Sequence, residues 1–135
     1  MDAAKCRTLK EAYADQPEPH IIPINQFFDG NDDLASIGCN LDPHPGIEVF
    51  RDVLVGLLGR SDVMAVYAQI SELDPGEGSW PFTDTVLVVG EISEEDLNSE
   101  VIGLEPDEVA GAEGSGVSPF VREQHGFPVM VLWWD

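Results

Sequence analysis

The chain has 135 residues, 26 of them Asp or Glu and six Lys or Arg, for a formal net charge of −20. Such a surface repels nucleic-acid phosphate and anionic lipid and attracts cations or basic proteins, so neither nucleic acid nor membrane is an expected partner. A hydrophobic content of 43% suffices for a packed core in one domain, and no apolar run approaches the ~20 residues that cross a bilayer.

Residues 1–18 read as an N-terminal tail ahead of a single domain over 19–135. The tail holds Lys5, Arg7 and Lys10, half of the basic residues, in an Ala-rich stretch that is a marginal helix alone. Gln16-Pro17-Glu18-Pro19 stops it. Ile21 to Ile24 predicts a short entry strand, Phe27-Phe28 a helical turn, and Asp29-Gly30-Asn31 its close. Ser36 to Leu41 reads as a strand. Asp42-Pro43-His44-Pro45 then carries the cap and proline signals of a helix over about 45–58. Its apolar residues Ile47, Phe50, Val53, Leu54, Leu57 and Leu58 repeat at helical spacing, and Gly59 ends it.

Residues 63–72 predict a strand with Met64, Val66, Ala68 and Ile70 on one face. After the turn Asp74-Pro75-Gly76-Glu77-Gly78, residues 83–91 predict a second strand. It is apolar on both faces at Val86 to Val89, and therefore central. Ser93-Glu94-Glu95-Asp96 is a capping sequence opening a helix with Leu97, Val101 and Leu104 at i, i+4 and i+7. A Gly-rich loop is expected from Glu105 to Phe127 and a final strand from Pro128 to Trp134. The order strand, helix, strand, strand, helix, strand predicts an α+β fold. Its expected form is a ferredoxin-like two-layer sandwich, with four antiparallel strands, a fifth at one edge, and two main helices on one face.

The densest polar cluster is Asn31-Asp32-Asp33, followed by Asn40 and His44. Its spacing is not that of a calcium loop, which needs alternate oxygen ligands and a distal Glu. The preferred reading is an Asx-rich turn capping backbone amides, with Asp32, Asp33 and His44 close in space. Cys39 alternates with Ile37 and Leu41, which predicts a buried structural thiol. The carboxylates around it would raise its pKa and so argue against a nucleophile. His20 and His125 fall in loops, and no Cys/His spacing resembles a zinc site, so neither metal nor cofactor is expected. Gly111 to Gly116 lacks the GK[ST] ending and following helix of a phosphate loop. Two cysteines and no apolar leader read as a cytoplasmic protein with reduced thiols.

Trp80-Pro81-Phe82 enters one strand and Trp133-Trp134 closes the last. Adjacent strand residues point to opposite faces, so one indole joins the helix-covered core. The other lies with Tyr67 on the open sheet face, which needs a cover: the 105–127 loop, the N-terminal segment, or a second subunit in a homodimer.

Asn31-Asp32-Asp33 with Ser36-Ile37-Gly38-Cys39-Asn40-Leu41, His44-Pro45-Gly46, Trp80-Pro81-Phe82 with Asp84, and Trp133-Trp134-Asp135 together resemble a family of small acidic bacterial proteins. The resemblance covers about residues 20–135 and leaves out the N-terminal tail. It implies a bacterial source and a single domain, and it transfers no catalytic residue. The long polar loop before the last strand is where the chain is least typical of that family.

The expected function is a non-enzymatic binding or regulatory module meeting a basic protein partner, like an immunity protein in charge and size only. Electrostatic steering would make that association fast and salt-sensitive. The candidate binding residues are Asn31, Asp32, Asp33, Asn40, His44, Trp80, Asp84 and Trp134, with no catalytic residue assigned. The alternative is a metal-dependent hydrolase or small-ligand domain using Asp32, Asp33 and His44, with Asp84 or Asp135 brought near.

Overall fold

A computed structural model describes residues 2–111 and 128–134. Its strands are β1 (His20–Pro23), β2 (Val63–Glu72), β3 (Phe82–Gly90), β4 (Glu108–Gly111) and β5 (Val129–Trp133). They form one sheet in the order β1-β2-β3-β5-β4, with every neighbouring pair antiparallel. The helices are α1 (Ala3–Tyr13), α2 (Ile24–Phe28), α3 (Ile47–Gly56) and α4 (Glu94–Val101). The last two tighten into 3₁₀ turns at Leu57–Gly59 and Ile102–Leu104.

Strand alternation divides the apolar residues between the two faces of the sheet. Ile22, Val66, Ala68, Val86, Val88 and Leu132 meet Phe50 and Leu54 of α3 and Leu97 and Val101 of α4 in the main core. Each such side chain, when fully buried, contributes about 1.5–3 kcal/mol of transfer free energy. The alternate residues Leu87, Val89 and Val129 form a smaller cluster with Ile21, Ala65, Tyr67 and Val131 on the other face. β3 is thus buried on both sides, as its continuous apolar run predicts.

The α+β class, the strands over 63–72 and 83–91, the edge strand at 20–23 and the two main helices on one face agree with the sequence. The strand order does not. Residues 36–41 form no strand; a single parallel bridge joins Ile37 to Thr83. A strand forms instead at Glu108–Gly111, inside the stretch expected to be loop, and pairs with β5 from Glu108↔Trp133 to Gly111↔Met130. Five strands in the order found are not the ferredoxin-like arrangement. Met64 also leaves its expected face: the register shifts between Val63 and Ala65, and Met64 stands exposed.

The N-terminal segment, expected as a tail, forms α1 and lays Cys6 and Leu9 into the main core. Asp2 caps it by accepting a hydrogen bond from the Lys5 N–H at 3.1 Å. The two cysteines exchange their expected settings. Cys6 is buried and donates to the Ser79 carbonyl at 3.4 Å, while Cys39 is exposed. Without a strand at 36–41, alternation no longer governs where Cys39 points.

Candidate functional site

Three of the polar residues singled out above, Asn31, Asp33 and His44, are engaged in shaping the segment 31–46 beside the start of β3. Asn31 is buried; its Oδ1 accepts from the Asp33 N–H at 2.9 Å and its Nδ2 donates to Ser36 Oγ at 2.9 Å. Asp33 Oδ1 accepts from the Ala35 N–H at 3.0 Å, closing an Asx turn. Its other oxygen, Oδ2, accepts from the Trp80 N–H at 3.0 Å, across 47 residues of chain. The Thr83 N–H donates to the Ser36 carbonyl at 2.9 Å, beside the bridge at Ile37. Asp33 therefore acts as the bracket that the Asx reading anticipates, with a long-range partner the sequence does not disclose.

His44 is similarly committed. Its Nδ1 accepts from the Gly46 N–H at 2.9 Å, so the proton sits on Nε2, which donates to the Ile37 carbonyl at 2.8 Å. The ring packs against Phe50, 5.2 Å between centroids. Asp33 and His44 thus meet on the same short segment, Ser36–Ile37, while Asp32 beside them is exposed.

The remaining candidates scatter. Asp84 Oδ1 accepts from Ser71 Oγ at 2.8 Å and Thr85 Oγ1 at 2.9 Å. Trp80 lies in the main core, its indole N–H without a hydrogen-bond partner among the described residues. Trp134 also joins the core, donating from Nε1 to the Leu104 carbonyl at 2.9 Å. Asn40 is exposed and reaches Asp107 at 3.5 Å. Among the described residues no three His, Cys, Asp or Glu side chains converge as metal ligands. His20 is buried and bonds the Gln16 carbonyl at 3.0 Å. His125, Asp135 and most of the Gly111–Gly116 passage lie outside the described residues. No helix among them is long and apolar enough to cross a membrane.

A different stretch presents the strongest surface chemistry. Glu91, Glu94, Glu95, Asp96, Glu100, Glu105, Asp107 and Glu108 are all exposed, and no Lys or Arg occurs between residues 91 and 108. Ser93 caps α4 by accepting from the Asp96 N–H at 3.1 Å, and the three acids of the first turn favour the positive end of the helix dipole. A cleft of about 420 Å³ beyond α4 is lined by Glu95, Asn98, Ile102 and Glu105. Ile102 stands 76% exposed there. Among the described residues one cation reaches this stretch from outside: Arg60 pairs with both oxygens of Asp62 at 2.9 and 3.0 Å, with Glu100 at 2.9 Å and with Asp96 at 3.4 Å. Its bonds to Asp62 raise the guanidinium pKa and hold the Asp62 carboxyl below its ordinary value. Reading 93–96 only as a helix start hides this stretch; the signal was the run of eight carboxylates without a basic residue.

Comparison with known proteins places residues 4–129 in the Uncharacterized protein YfbO family. The match begins within α1, earlier than the segment from residue 20 that carried the resemblance. A relative named "Uncharacterized protein YfbO", from Escherichia coli (strain K12), is 27% identical over 123 residues, covering 90% of this chain and 86% of the relative. No solved structure matches the chain.

Proposed function

The chain belongs to the YfbO family, and we propose that it is a non-enzymatic binding protein whose acidic surface meets a basic protein partner. The observation that carries this reading is the exposed run of eight carboxylates over 91–108, beside the apolar Ile102. Carboxylates in such density steer and select a cationic partner, and a central apolar contact adds burial that charge alone does not supply. Two of the residues that a hydrolytic reading would use are spent on the fold: both oxygens of Asp33 and both nitrogens of His44 already bond the main chain.

The test is quantitative affinity capture from a bacterial lysate, followed by binding measurements with the purified partner. The bait is the full chain, as wild type and as the variant Glu94→Gln/Glu95→Gln/Glu105→Gln/Glu108→Gln. The expected partner is basic, and the variant binds it at least about tenfold more weakly, equivalent to ~1.4 kcal/mol. A partner held equally by the variant and in high salt overturns the reading.

A further inference from the structure

We propose that α1 is a displaceable strap, and that the seat beneath it is a docking surface for a basic amphipathic helix of another protein. The proposal rests on the reading of a basic protein partner and names the segment of that partner the fold accepts. The resident helix displays the recognition pattern. Cys6 and Leu9 point inward, flanked by Lys5 and Lys10. Lys5 Nζ reaches Asp29 Oδ1 at 2.6 Å at one end of the seat. Lys10 Nζ reaches Asp74 Oδ1 at 2.9 Å and the Gly76 carbonyl at 3.2 Å at the other. The seat is shaped for the lysine stem: at Gly30, φ is +84°, and a Cβ there would stand 2.9 Å from Lys5 Cδ.

The hold is light. Two of the eleven residues of α1 are buried, and a helix this short is marginal without its packing. The Lys5–Asp29 pair is exposed on both sides, and such pairs add little and weaken in salt; Lys10 is better covered, but its partner Asp74 stands in solvent and is screened likewise. A cleft of about 410 Å³ runs between the helix and the turn after β2, lined by Cys6, Arg7, Lys10, Asp74, Glu77 and Gly78, so one flank of the helix is open to solvent. A competing helix with a cation, an apolar residue one and four positions on, and a second cation five positions on fits the same receivers.

The two thiols supply the readout, because Cys6 lies under the strap and Cys39 is exposed. In the full-length protein, raising monovalent salt should speed thiol labelling of Cys6 several-fold and leave Cys39 unchanged. The thermal midpoint should rise at the same time, since salt relieves the self-repulsion of a chain at −20. Global unfolding cannot raise both readouts together, since labelling through the unfolded state slows as the midpoint rises. The full-length variant Lys5→Glu/Lys10→Glu should label Cys6 nearly as fast as Cys39. It should also bind a fluorescent peptide of residues 2–16 carrying Cys6→Ser, and adding Asp29→Asn/Asp74→Asn should weaken that binding at least tenfold. If the double charge reversal unfolds the protein, Lys10→Gln replaces it with the same expectations. Cys6 labelling that tracks global unfolding at every salt concentration overturns the proposal, as does an opened variant that binds no peptide. A basic partner that needs the 91–108 carboxylates but never speeds Cys6 labelling sinks this inference and leaves the reading above standing.

Discussion

Asp33 ties two segments 47 residues apart, through a 3.0 Å hydrogen bond from the Trp80 N–H, while its other oxygen closes a turn on Ala35. Asp33→Asn keeps one acceptor and sets an amide against the second N–H. The expected cost is about 1–2 kcal/mol in urea unfolding, with partner binding unchanged. The local half of this role was legible, because Asx residues in turns commonly accept nearby backbone amides. The distant half was not, since nothing in Asn31-Asp32-Asp33 refers to Trp80. Gly90 is a second restricted position. Its φ is +149°, and a Cβ there would overlap the Asp62 carbonyl, the same oxygen that accepts from the Glu91 N–H. Gly90→Ala should destabilise by about 1–3 kcal/mol or more in the same measurement.

The elements with strong period were readable, and those defined by a partner were not. α3, α4, β2 and β3 announce themselves by spacing. β4 is four residues, Glu-Val-Ala-Gly, without alternation, and is a strand because β5 lies beside it. At 36–41 the reverse holds: an apolar-polar alternation is present, but only Ile37 finds a neighbouring strand. The paired indoles of β5 and its end follow strand geometry as expected, Trp134 in the core and Trp133 on the other face, 37% exposed. Trp134→Ser should therefore cost about 3–5 kcal/mol, and Trp133→Ser far less. Sedimentation of wild type against a folded Trp133→Ser variant tests whether the open face joins two copies: a dimer made there dissociates in the variant. Between elements, Arg60 and Lys10 hold the Asp62 and Asp74 carboxyls below their ordinary 3.8 by hydrogen bonding and charge. A carboxyl depressed in the folded state stabilises above its unfolded pKa and loses that contribution as pH falls through the folded value. The melting temperature should drop on acidification below about pH 4, and less steeply in Asp62→Asn than in wild type.

For the molecule as a whole, 26 carboxylates against six cations make self-repulsion the long-range force, and the few cations act as local clasps. Melting temperature should rise with monovalent salt irrespective of the cation, and millimolar Mg²⁺ or Ca²⁺ should add nothing beyond matched ionic strength. A shift specific to one ion, lost on Asp32→Asn/Asp33→Asn, would restore the metal reading. The sheet order has a further effect on how copies of the chain meet one another. Among the described residues its two margins are the four-residue strands β1 and β4, one ending in Pro23, which offers no donor, and the other opening with the exposed Glu108. Long, flat, uncharged margins template strand addition and fibre growth, whereas short ones marked by proline and like charge resist it. The hydrophobic runs of β2 and β3, the segments with most capacity for cross-β stacking, are thereby kept off the margins, β2 behind β1 and β3 two strands in from either side.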